Sequence, residues 1–263
     1  MEMIDLGFSL KRFYAVGLHG SLEDFSSEKL HVHPFHQVLQ IKNGVALLHD
    51  IPGTRPQYGH MAAFIPAQVA HRTEVIGDSL EYQSLYFKKS LFSRQERSIL
   101  LFQMSPLGLA LLNQVNTEAP LQNLDHGIAK DCVDLFMKVL SMDLGNEVKS
   151  LVLPEAKTEI CRTVCRFIEE NYRTKITSQD IARTIPLSFR HLSRIFKADM
   201  GLNLFEYLKV FRMLRASIDL NTTDHKIISV AYDCGYESIS SFFTDFKKVF
   251  GISPAEFRNR HRY

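Results

Sequence analysis

Phe196-Lys197-x-x-x-Gly201-Leu202-Asn203-x-x-Glu206-Tyr207 returns 50 residues later as Phe246-Lys247-x-x-x-Gly251-Ile252-Ser253-x-x-Glu256-Phe257. Ser188 and Ser238 stand upstream of the two stretches and keep the same offset. A fixed period with matched caps means one supersecondary unit built twice. Serine offers an N-cap hydroxyl, glycine enters the left-handed region at a helix end, and Asn203 or Ser253 with a Glu three places on forms a capping box. Each copy therefore reads as a short helix, a tight turn and a second helix. Two such helix-turn-helix units in tandem point to a reader of duplex DNA.

Outward from the repeat, everything from Glu155 on reads helical. Ile160, Val164, Phe167 and Ile168 form one apolar stripe, and Ser178 or Thr177 caps a helix running through Arg183. Pro186 blocks its continuation and shapes the turn. A reading helix is predicted over 188–198, a long helix over 204–220 and a second reading helix over 238–250. Ile227, Ile228 and Ala231 pack a helix that Gly235 ends, and Ser253-Pro254-Ala255-Glu256 opens the last one.

The N-terminal part has another period. Residues 8–88 look strand-rich: 38–42 runs into Asn43-Gly44 and resumes as 45–48, a hairpin signal. Further strands are expected at 61–65 and 80–87, separated by Pro52-Gly53 and Pro66. Short strands broken by Gly and Pro suggest a small barrel or sandwich. Residues 91–101, 106–114 and 126–144 show helical spacing, with a stop at Leu144-Gly145-Asn146. These helices should pack on the barrel and leave a face for a second subunit. The expected class is α+β: residues 1–150 a β-barrel with packed helices, residues 151–263 an all-α domain, joined by a linker at 145–157.

The 263 residues, 45% of them hydrophobic, suffice for two domains. Net charge is +2, but residues 1–154 hold 13 Lys+Arg against 16 Asp+Glu while residues 155–263 hold 18 against 13. A mildly acidic half joined to a basic half suits a sensor tethered to a nucleic-acid module. No basic segment followed by an apolar run opens the chain, and no window is long and apolar enough to span a bilayer, so a cytoplasmic protein is expected. Cys132, Cys161, Cys165 and Cys234 read as reduced thiols. Cys161 and Cys165 share a helix face, yet no second ligand pair follows, which favours burial over metal.

Val230-Ala231-Tyr232-Asp233-Cys234-Gly235-Tyr236-Glu237-Ser238, followed by Phe242-Phe243-x-x-Phe246-Lys247-Lys248-x-x-Gly251-Ile252-Ser253-Pro254 and Phe257-Arg258, resembles the signature of the AraC/XylS family. The resemblance implies a bacterial transcription regulator, more often activator than repressor, with reading helices in successive major-groove segments. By position it implies DNA contact at Ser188, Arg190, Ser193, Arg194 and Lys197 in the first unit. In the second it implies Ile239, Ser240, Phe243, Thr244, Lys247, Lys248 and Arg258. Arginine can bond guanine O6 and N7 together, so Arg194 is the expected base reader. The second unit, with Ile, Ser, Phe and Thr outward and Asp245 close by, discriminates less sharply and should position through its cations. Double-stranded DNA, RNA polymerase, a small-molecule effector and a second copy of the chain are the implied partners. No membrane and no catalytic residue is implied.

In the N-terminal half, His31-x-His33, Gln37 and the later His71 resemble the cupin barrel, where His-x-His, a carboxylate four residues on and a later His hold a metal. On a strand, positions 31, 33 and 37 share one face. Gln37 stands where the carboxylate would, and an amide is a weak neutral ligand. The expectation is therefore an effector pocket lined by His31, His33, Gln37 and His71, with no cofactor and no metal. Three imidazoles could still hold zinc with a position open, and a metal-dependent cupin enzyme fused to a DNA-binding module is the alternative.

Overall fold

The computed structural model describes residues 2–3, 15–21, 29–51, 53–59, 61–92, 96–117, 127–146 and 151–261. The chain falls into two units: Met1–Ile51 with Pro56–Ser150, and Pro52–Arg55 with Leu151–Arg262. Its strands are β1 (Glu2–Met3), β2 (Ala15–Ser21), β3 (His31–Val32), β4 (His36–Asp50), β5 (Gly53–Gln57), β6 (Met61–Ile65), β7 (Arg72–Phe87), β8 (Leu100–Gln103) and β9 (Leu153–Pro154). In the first unit, β7 pairs antiparallel with β2 and with β4, β4 pairs with β6, and β6 pairs with β8.

Asn43-Gly44 does not turn the chain back. It lies inside β4, where the pairing with β7 slips between Ile41 and Asn43 and again between Asn43 and Val45. Gly44 sits at φ +92, and a Cβ there would fall 2.4 Å from the Ser79 carbonyl oxygen. The dipeptide thus forms a β-bulge, which uses the same left-handed glycine as a hairpin but bends one long strand. The expected hairpin is replaced by the β4–β7 pair. The helix expected at 91–101 is replaced by a single 3-10 turn at Lys89–Leu91 and by β8, which pairs with β6 and buries Leu101 and Phe102. Short apolar runs fit either period, and the open edge of β6 decided this one.

Among the described residues no strand pair joins β2 to β8, so the sheet is open where a closed barrel was expected. Helices α1 (Pro106–Thr117) and α2 (Gly127–Asp143) follow it. Phe64, Phe87, Phe102, Phe136 and Leu112 form one core with them, so the helices do pack on the sheet. Asp143 ties the two helices together, its carboxylate accepting from Ser105 N at 2.9 Å and Ser105 Oγ at 3.0 Å.

In the second unit, β5 pairs with β9 through Gly53 and Thr54, and seven helices follow: α3 (Glu159–Asn171), α4 (Ser178–Ala182), α5 (Phe189–Met200), α6 (Leu204–Thr222), α7 (Ile227–Asp233), α8 (Ile239–Phe250) and α9 (Pro254–His261). Thr177 caps α4 in a full capping box with Asp180, and Asn203 caps α6 in another with Glu206. Helix α6 packs on α3 and α5 and also on α7, α8 and α9. It therefore closes the first copy of the repeat and opens the second.

Candidate nucleic-acid interface and buried histidine cluster

The two reading helices are built alike. Ser188 accepts from His191 N and Ser238 from Ser241 N, each at 3.4 Å. Gly201 at φ +75 and Gly251 at φ +76 end them, their N–H groups donating to the carbonyls of Lys197 and Lys247. Leu192 and Phe196 anchor α5, and Phe242 and Phe246 anchor α8. The opposite faces are left to solvent.

On α5, Arg190, Arg194 and Lys197 are exposed at i, i+4 and i+7, a single stripe, with Ser193 half-buried beside it. Ser188 is spent as the N-cap. His191, exposed in the first turn, was not expected; only its N-cap hydrogen bond brings it to notice. On α8, Ser240, Phe243, Thr244, Lys247 and Lys248 are exposed and Ile239 is half-buried. The Thr244 hydroxyl donates to the Ser240 carbonyl at 2.9 Å, so its own proton is engaged within the helix. Lys247 and Lys248 occupy the last turn, where cations also meet the carbonyl end of the helix favourably.

Arg258, expected at the DNA, makes hydrogen bonds within the unit. Its guanidinium donates to the Leu220 carbonyl at 3.3 Å and the His225 carbonyl at 2.6 Å. It ties α9 to the end of α6, where free carbonyls need donors. Asp245 turns its side chain inward, accepting from Lys209 Nζ at 3.0 Å and Tyr236 OH at 3.1 Å.

The first unit gathers His31, His33 and His71, each at most 4% exposed, with one ring nitrogen apiece inside a 4.8 Å set. Backbone pairing of His31 with His71 brings them together: His31 N donates to His71 O at 2.9 Å and His71 N returns a bond at 3.0 Å. Each Nδ1 faces a backbone carbonyl: Lys29 at 3.0 Å from His31, Phe35 at 2.8 Å from His33, Val69 at 2.9 Å from His71. Carbonyls only accept, so every Nδ1 carries the proton and every Nε2 a lone pair. Burial holds all three rings neutral, lowering the pKa of His31 and His33 and pushing His71 down to about 3.

Gln37 joins the cluster, its side-chain amide 3.1 Å from His33 Nε2 and 3.0 Å from Ser84 Oγ. The amide oxygen lies on the ring side and the amide nitrogen donates to the Ser84 hydroxyl; since His33 Nε2 only accepts, turning the amide over, with N–H to the ring and oxygen to Ser84, satisfies both contacts. Tyr86 lies beside the cluster, its ring edge-on to His33 at 5.5 Å, and burial raises its hydroxyl pKa. The four expected residues thus meet, while Ser84 and Tyr86 arrive from β7 with no local motif. The thiols of Cys161, Cys165 and Cys234 are buried, and burial pushes the last two up to about 12, which makes them inert. Among the described residues no helix is long and apolar enough to cross a membrane.

Residues 181–260 match the model of a helix-turn-helix domain. Over 241 residues the chain is 27% identical to the HTH-type transcriptional activator RhaS of Mannheimia succiniciproducens, covering 87% of this chain and 88% of that one. Over 93 residues it is 36% identical to the lactose operon transcription activator of Staphylococcus xylosus, covering 35% of this chain and 33% of that one. Among solved structures, a transcriptional regulator with an AraC-type DNA-binding domain from Chromobacterium violaceum is 27% identical over 39% of this chain and 91% of that chain, with a TM-score of 0.37.

Proposed function

We propose that the chain is an AraC-family helix-turn-helix transcriptional regulator that binds a specific duplex and activates transcription in response to a small molecule sensed by its N-terminal unit. One observation carries this reading: α5 and α8 are capped identically, joined by one shared helix, and turn exposed cationic faces outward. Arg190 and Arg194 would read base edges, Lys197, Lys247 and Lys248 would meet phosphate, and Ser240, Phe243 and Thr244 would supply weaker discrimination. The test is selection from a random duplex pool by the purified chain. Enrichment of a two-part site is expected, and failure to enrich any sequence at low salt would refute the reading.

The effector site in this reading is the His31, His33, Gln37 and His71 cluster. Fixed tautomers and a pinned amide give a rigid polar wall suited to a small polar ligand. The ligand would act by favouring one arrangement of the regulator over another, as any effector must. Isothermal titration of candidate ligands against the chain and its His33→Ala variant tests this; equal heats from both would overturn it.

A second reading follows from one specific feature: imidazoles whose Nδ1–H groups are held by carbonyls present Nε2 as metal ligands do. His31, His33 and His71 fit a divalent ion, which would supply Lewis acidity to anything bound beside it. Against this, Gln37 already occupies the His33 lone pair and brings no charge. Elemental analysis of the purified chain separates the two, with stoichiometric metal lost in His33→Ala favouring the second.

Dimerisation belongs to the proposal as well. Ile128, Leu135 and Met142, spaced seven apart on α2, are 74%, 44% and 75% exposed. A second copy would cover that stripe, in a cytoplasmic homodimer that contacts RNA polymerase at its promoter.

A further inference from the structure

Asp245 is a carboxylate on a helix whose outer face otherwise carries Lys247, Lys248 and neutral residues. Left free beside duplex DNA it would repel phosphate. Its side chain is only 16% exposed and both oxygens are occupied, Oδ1 by Lys209 Nζ at 3.0 Å and Oδ2 by the Tyr236 hydroxyl at 3.1 Å. Lys209 stands on the shared helix α6, and Tyr236 on the turn between α7 and α8. Tyr236 is itself buried, under the Arg212 guanidinium 5.8 Å from its ring centre. Two further elements, α6 and the α7–α8 turn, therefore converge on one side chain of the second reading helix.

The internal repeat supplies a control. Fifty residues earlier, the places of Lys209, Tyr236 and Asp245 are taken by Glu159, Pro186 and Ile195. The first copy folds to the same capped helix with an apolar residue in the position of Asp245, so the unit's fold does not require the interlock. A buried ion pair adds little net stability over apolar packing, and its use here is the geometry that it fixes, by restricting which arrangements satisfy it. Here the geometry is the roll and position of α8 against α6. Because α6 also packs on α5, that setting fixes the second reading helix relative to the first.

Building on the DNA-binding reading, we infer that Lys209, Tyr236 and Asp245 form an interlock that positions the second reading helix and sets which spacing between two half-sites the chain accepts. These are positioning residues. Lys209 spends its charge on Asp245 rather than on phosphate, and Asp245 reads no base.

The experiment uses the full chain and the duplex that it selects from a random pool, together with versions carrying one base pair more or less between the half-sites. The wild-type chain is expected to prefer the selected spacing. Lys209→Met and Asp245→Asn should each relax that preference by about three- to fivefold, the scale of a single ion pair, with the same melting temperature within a few degrees. Lys209→Arg, which keeps the pair, should restore it. In Lys209→Met alone the freed carboxylate should also weaken binding to all spacings, and adding Asp245→Asn should recover that uniform loss while leaving the spacing relaxed. An unchanged spacing ratio in both single variants would overturn the interlock. If the wild-type chain selects a duplex, the DNA-binding reading survives whatever these variants do; if it selects none, that reading fails first and takes the inference with it.

Discussion

Arg212 Nε donates to the carbonyl oxygen of Tyr172 at 2.9 Å, while its Nη2 reaches the Thr174 carbonyl at 2.8 Å. One guanidinium on the shared helix α6 thus caps carbonyls at the C-terminal end of α3 in the first copy and lies over Tyr236 in the second. A planar fork with several donors can do this; an ammonium cannot hold both carbonyls and a ring.

Arg212→Ala should therefore destabilise the C-terminal unit by about 1–3 kcal/mol, since the partly buried Tyr172 carbonyl and the exposed Thr174 carbonyl both lose a charged donor. Arg212→Lys should recover less than half of that. Hydrogen exchange of α3 and α6 in the full chain reads the change, and protection equal to wild type would contradict the clamp.

Gly235 sits beside it at φ +78, where a Cβ would fall 2.3 Å from the Tyr172 carbonyl oxygen. Gly235→Ala meets both backbone strain and a rigid clash, so a loss of about 2 kcal/mol or more is expected. Gly201→Ala, at φ +75 but with open space around it, should cost only the strain, about 1 kcal/mol. Urea midpoints that rank the two the other way would contradict the packing at Gly235.

Arg194→Ala should lower affinity for the selected duplex by about 1–3 kcal/mol and relax the preference at one base pair. Lys247→Ala should weaken all duplexes alike and reduce the salt slope by about one. Titrations at several salt concentrations distinguish them; a base-selective loss in the lysine variant would contradict its place at phosphate.

The histidine cluster links stability to pH. His31, His33 and His71 titrate near 6.5 in the unfolded chain and lower in the fold, with His71 pushed down to about 3 by burial. The unfolded chain thus binds more protons in that window, so stability is full above pH 6.5 and falls as pH drops toward 3. Denaturant midpoints of the N-terminal unit should decline between pH 7 and pH 5, and less so in His71→Gln. A midpoint independent of pH in wild type would refute the neutral, buried state of the rings.

Leu135→Glu places a charge at the centre of the exposed α2 stripe. A dimer formed through Ile128, Leu135 and Met142 should become a monomer at micromolar concentration, as sedimentation equilibrium would show. Dimers that persist would place the interface elsewhere.

The residues themselves announced the C-terminal unit because its signals are local. Ser188, Gly201, Asn203 with Glu206, Ser238, Gly251 and Ser253 with Glu256 each act on backbone groups within about one turn, so their spacing alone sets where helices begin and end. The N-terminal unit was harder to read because strand pairing is non-local. Asn43-Gly44 specifies a left-handed kink, but whether that kink reverses the chain or bulges it depends on β7, some thirty residues away. The apolar run at 100–103 became a strand only because β6 had an edge to offer.

Site chemistry divides in the same way. Which residues stand on the outer faces of α5 and α8 follows from helical period, and the sequence by itself placed Arg190, Arg194, Lys247 and Lys248 there. Only the tertiary structure decided that Asp245 turns its charge inward, that Arg258 donates to the Leu220 and His225 carbonyls, and that Ser84 and Tyr86 join His33. Hydrogen-bond partners 33 to 47 residues apart leave no periodic trace in a sequence, because burial and pairing are properties of the packed chain and not of any segment within it.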